Sequence, residues 1–164
     1  MTDSAGEPAI ILGWHCHIYF PMDRRDVAVR LNEEIQDRFG IWDYRWMDRS
    51  NFLHPTPMFR FQFKREDLPD FLEYMTLNRD GLSILIHAIS GDDLVDHTEH
   101  AMWLGEPLSL GIEALREIQA KKRTGELPPS ARPELQVAAG ATEAGKIRYA
   151  PGDDQHVPAR GRSN

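Results

Sequence analysis

The chain reads as an α+β protein of ferredoxin-like β-α-β-β-α-β order, with an antiparallel sheet and two helices on one face. Three observations predict this. Residues 58–63 alternate strictly, with Phe59, Phe61 and Phe63 on one side of a strand and Arg60 and Gln62 on the other. Val27, Leu31, Ile35 and Phe39 recur every four residues, which is the stripe of an amphipathic helix. Apolar runs of strand length, residues 10–20 and 82–89, open and close the pattern.

Taken in order, residues 10–20 form the first strand, and Pro21 stops it. Asp23 is placed to cap a helix and Asp26 to favour its positive end, while Gly40 supplies the stop. A second strand covers residues 42–47. Residues 48–57, with two prolines and His54, make a loop that leads into the third strand. Asp67 and Pro69 open a second helix with Leu68, Leu72 and Met75 as its inner stripe, and Asn78-Arg79-Asp80-Gly81 closes it. The fourth strand runs over residues 82–89, and Ser90-Gly91-Asp92-Asp93 turns. Leu108, Ile112, Leu115 and Ile118 predict a short third helix reaching about Lys122. The organisation expected is a flexible N-terminus (1–8), a folded domain (9–122) and a disordered or loosely packed tail (123–164) rich in Ala, Pro, Gly and Arg.

Composition narrows the function classes. A chain of 164 residues suits one domain with a real core. The net charge of −7, with no basic stripe, argues against nucleic-acid binding. The acidity lies in residues 1–120, where 21 acidic side chains face 11 basic ones. The single cysteine, Cys16, allows no intrachain disulfide and fits a cytoplasmic setting. No run approaches the roughly 18 apolar residues of a membrane span, and the first residues lack a signal-peptide pattern. Cysteine clusters, phosphate-cradling glycine loops and serine nucleophile elbows are all missing from the sequence.

The histidines carry the chemistry. Six of the seven lie between residues 15 and 100. Side chains alternate along a strand, so His15 and His17 share a face, with Cα atoms roughly 6–7 Å apart. In the predicted topology the first strand is central and pairs with the third and fourth. His15, His17 and His87 then share the open face with Tyr19, Arg60, Gln62, Ser83 and Leu85. Three neutral nitrogens converging there define a transition-metal site with open positions. The plain alternative is a set of hydrogen-bonded core histidines. His54 reads as an exposed loop imidazole. His97 and His100 share one side of a helical turn or lie in an exposed polar turn, and His156 is incidental. Arg60 and Gln62 either orient an anionic substrate or pair across a dimer interface. Leu85 and Tyr19 require a cover, which is either the segment at 94–118 or a second copy of the chain.

Several motifs resemble one family. They are His15-Cys16-His17-Ile18-Tyr19-Phe20, His54-Pro55 with Pro57-Met58-Phe59, the stretch 77–87, then Gly91-Asp92-Asp93-Leu94-Val95-Asp96-His97-Thr98 and Met102-Trp103-Leu104-Gly105. In this order, over about residues 10–118, they are similar to the DOPA 4,5-dioxygenase family of small ring-cleaving enzymes. The resemblance implies a ferredoxin-like fold that dimerises through its sheet. It also implies extradiol cleavage of a catechol such as DOPA by O₂ at non-haem iron(II), with zinc able to take the same site. The matching histidines are His15, His17, His54, His87 and His97, with His100 a looser match. Shared facing assigns His15, His17 and His87 as metal ligands. His54 and His97 are then the acid–base candidates, with a pKa expected near neutrality. Tyr19, Arg60, Gln62 and His100 are the candidates for touching substrate. A different partition makes His54 a ligand and leaves His15 outside. The competing function is a metal- or aromatic-binding module without turnover.

Overall fold

The structure, a computed structural model, describes residues 11–129 and 143–153. Five antiparallel strands form one sheet: β1 (Gly13–Tyr19), β2 (Ile41–Met47), β3 (Met58–Lys64), β4 (Ile84–Ala88) and β5 (Ala101–Leu104). Their order is β2-β3-β1-β4-β5, so β1 is central and flanked by β3 and β4 as expected. Helices α1 (Arg25–Arg38) and α2 (Leu68–Asn78) follow β1 and β3. A one-turn α3 (Asp93–Asp96) and a longer α4 (Ile112–Arg123) flank β5.

Alternation sorts the sheet into two faces. Cys16, Ile18, Phe59, Phe61, Phe63, Ile84 and Ile86 are fully buried beneath Ala28, Leu31 and Ile35 of α1 and Phe71 and Met75 of α2. Burying each large apolar side chain contributes about 1.5–3 kcal/mol, so this layer holds the sheet in register. A one-residue slip would turn the phenylalanines to the opposite face.

Three local features differ from the sequence expectation. Asp23 lies in a single 3₁₀ turn (Met22–Arg24), and α1 starts after it with no side-chain cap. β5 was not foreseen, because its four residues are all half-buried and show no alternation. Between Trp42 and Arg45 the β2–β3 register shifts, and Asp43 takes a φ of 48°. This is a bulge: two residues of β2 oppose one of β3, and the strand bends.

The chain itself covers part of the open face. Tyr19, Met58 and Leu85 are buried there against Trp103, Leu108 and Leu110. Part of the stretch expected to be a loose tail, residues 130–142 and 154–164, lies outside the described residues. Residues 143–153 return to α1 and β2. Tyr149 stacks on Tyr44 with centroids 4.8 Å apart, its main-chain N–H donates to Gln36 Oε1, and Trp46 N–H donates to the Asp153 carbonyl.

Candidate metal centre

The facing rule brings His15, His17 and His87 together. His15 is the direct cross-strand partner of His87 and of Gln62, and His17 that of Arg60 and Leu85. Ring centroids of His15 lie 4.4 Å from His17 and 5.0 Å from His87. His54 and His97 arrive from loops. His54 stacks on His17 at 4.5 Å, and His97 lies 4.2 Å from His87. Among the described residues, two groups of three have ligand atoms within 4.8 Å of one another: His15, His17, His87 and His17, His54, His97.

The loops place the last two rings by local hydrogen bonding. Asn51 Oδ1 accepts from the N–H groups of Leu53 and His54, an Asx turn that folds His54 inward. The His54 side chain is therefore buried, not exposed as a loop imidazole would be by default. Asp92 caps α3 by accepting from Leu94 and Val95 N–H. His97 at the end of that turn donates from Nδ1 to the Asp93 carbonyl, 2.7 Å away, which leaves its buried Nε2 without a partner. His100 turns elsewhere. Its ring pairs with Asp96, which also accepts from Ser90.

Proton counting at His17 tests whether an ion fits. His87 Nδ1 lies 2.8 Å from the Ala88 carbonyl, which only accepts, so His87 carries its proton there and its Nε2 presents a lone pair. His17 Nε2 faces that nitrogen at 3.2 Å, while His17 Nδ1 faces Met58 Sδ at 3.4 Å. A neutral His17 has one proton for two acceptors, so one pair of lone pairs must oppose. A cation between the two Nε2 atoms removes the conflict. Two nitrogens each about 2.1 Å from one ion lie roughly 3.0–3.4 Å apart at right or tetrahedral angles. The observed spacing fits that, and imidazole donors suit iron(II) or zinc.

Electrostatics keep the rings neutral. Burial holds His15, His17, His87 and His97 below the ordinary imidazole value, and Arg60 adds to the effect at His15. Burial, then His97 and Arg60, pushes His54 down to about 3. The near-neutral pKa expected for an acid–base histidine is therefore not what burial produces. Burial raises the Tyr19 hydroxyl, which stays protonated 2.8 Å from His54 Nδ1.

The polar residues expected to meet substrate already have partners. Arg60 donates to His15 Nε2 at 2.8 Å and to Asp43 Oδ2 at 3.1 Å. Gln62 donates to the same Asp43 oxygen and accepts from Trp42. Asp43 was not singled out from sequence. The one signal was a carboxylate between two aromatics in a strand.

Fold and site together define a small α+β protein with a buried, metal-competent histidine cluster on one face of its sheet. Residues 14–114 match the model of the Dopa 4,5-dioxygenase family. The chain belongs to that family. It is 27% identical over 116 residues to a DOPA 4,5-dioxygenase of Amanita muscaria, covering 62% of this chain and 49% of that one. A 21.2 kDa uncharacterized protein of Botryotinia fuckeliana is 30% identical over 118 residues, covering 65% and 64%. The match thus spans less than two thirds of either curated relative. A crystal structure from Nostoc punctiforme, called a "putative dioxygenase", superposes with a TM-score of 0.63 at 39% identity, covering 66% of this chain and 94% of that one. Among the described residues no helix is long and apolar enough to cross a membrane.

Proposed function

We propose that the protein is an extradiol dioxygenase that cleaves a catechol such as DOPA with O₂ at a non-haem iron(II) centre. The observation that carries the reading is the opposed Nε2 pair of His17 and His87 within five neutral imidazoles. His17 and His87 would hold the ion, and the unpartnered Nε2 of His97, which converges with His17 and His54, lies in the same cluster. Donation of the remote N–H to a main-chain carbonyl, as at His87 and His97, is how ligating imidazoles are usually fixed. His15 would stand outside this set, because its Nε2 accepts from Arg60 and its one proton must then sit on Nδ1.

Bound iron(II) would supply the redox chemistry that couples catechol to O₂. The chain supplies the rest. His54, oriented by Tyr19, is the ring placed to take a catechol proton, a role that requires bound catecholate to lift its pKa from about 3 toward neutrality. Its otherwise low pKa makes that proton easy to return to the opened ring. The apolar floor of Met58 and Leu85 excludes water. A homodimer would form through the remainder of this face, where Met47 and Trp103 stay half-buried.

The test is to load the protein anaerobically with iron(II), add L-DOPA, admit O₂, and follow oxygen uptake and the yellow ring-opened product. His17→Ala is expected to lose iron. His54→Ala is expected to keep it and turn over about 100-fold more slowly. No oxygen uptake by iron-loaded protein across a panel of catechols overturns the reading. Tight zinc binding in that case points to a binding module.

A further inference from the structure

We infer, granting that the imidazole cluster holds an ion, that Asp43 is a positioning residue that clamps Arg60 onto His15 and so fixes which histidines face that ion. The clamp begins with the bulge. In a regular strand Trp42 and Asp43 would point to opposite faces. The extra residue lets both reach the open face: Trp42 pairs with Gln62, and Asp43 accepts from Gln62 and Arg60 through one oxygen. Tyr44 then returns to the helix side, where it is fully buried.

This arrangement is held against a cost. A non-glycine residue at φ 48° is strained, and such strain persists where the surroundings enforce it. The ion pair it serves is mostly buried, with side-chain exposures of 15% for Arg60 and 13% for Asp43. A buried guanidinium beside a dication is repulsive unless a carboxylate offsets it. Asp43 supplies that charge and, with Gln62, fixes the direction of the guanidinium. Arg60 in turn occupies His15 Nε2, although the His15 ring lies as close to His17 and His87 as a ligand would. Asp43 therefore acts at a distance through two side chains, touching neither ion nor substrate.

Cobalt(II) titration reads this without turnover. Asp43→Asn keeps the shape and tolerates the left-handed backbone, but removes the charge. It is expected to bind cobalt(II) about tenfold more weakly than the unsubstituted protein, with visible bands shifted toward those of Arg60→Met. Arg60→Met reads the same link from its other end, and serves if Asp43→Asn fails to fold. It frees His15 Nε2, so the visible bands are expected to change as a nitrogen joins the coordination sphere. The double variant should match Arg60→Met alone. Unchanged affinity in Asp43→Asn together with unchanged bands in Arg60→Met overturns the clamp while the metal centre stands. Failure of the unsubstituted protein to bind cobalt(II) at all removes the centre, and the clamp with it.

Discussion

Each buried imidazole of the cluster refuses a proton that the unfolded chain would accept. The unfolded value is about 6.5, and all five folded values lie below it. Above pH 6.5 neither state takes the proton, and stability is unaffected. Below it the unfolded state is protonated and the native state is not, so each pH unit costs about 1.4 kcal/mol per ring until the folded value is reached. His54, held near 3, carries that cost furthest, while His15, His17 and His87 are lowered partly by neighbouring rings, so the costs do not add in full. Metal-free protein is therefore expected to lose stability progressively as the pH falls below about 6.5, measured by urea denaturation at stepped pH. Stability that is flat from pH 7 to pH 5 would contradict neutral burial of the rings. At this scale the sequence was legible where a period of two applies. His15, His17 and His87 share a face because strands alternate. His54 and His97 were not placed by any period, since an Asx turn at Asn51 and a cap at Asp92 aim them. Asp43 was hidden because a bulge breaks the alternation that reads the rest.

At the scale of elements, the loop bearing His54 is held by the start of α4. Gly111 N–H donates to the Leu53 carbonyl at 2.8 Å. A Cβ on Gly111 would sit 2.0 Å from the Phe52 carbonyl oxygen. Gly111→Ala must therefore push residues 52–53 outward and carry His54 away from Tyr19. The expected cost is about 1–3 kcal/mol of stability by thermal denaturation, with a loss of turnover that persists below the melting range. A variant as stable and active as the unsubstituted protein would show that the loop yields freely. The helices α1 and α2 and four strands were readable from stripes and alternation. β5 was not, because an edge strand of four half-buried residues leaves no periodic trace.

For the whole molecule, the strand order expected from β-α-β-β-α-β is present, with β5 added beside β4. Composition marked residues 123–164 as a disordered or loosely packed tail; of these, residues 143–153 reach Gln36 and Trp46 through main-chain bonds and make one aromatic stack. Main-chain bonds of that kind leave no signature in composition. The central position of β1 has a consequence for motion. Its amides are laddered on both sides, so His15 to Tyr19 are exposed only when the entire sheet comes apart. His54 and His97 hang from short turns that can open alone. Deuterium uptake at His17 should therefore track global unfolding, while residues 51–54 and 93–100 exchange far sooner. The centre then has a floor in β1 that moves only with the whole sheet, and two side walls whose turns exchange on their own.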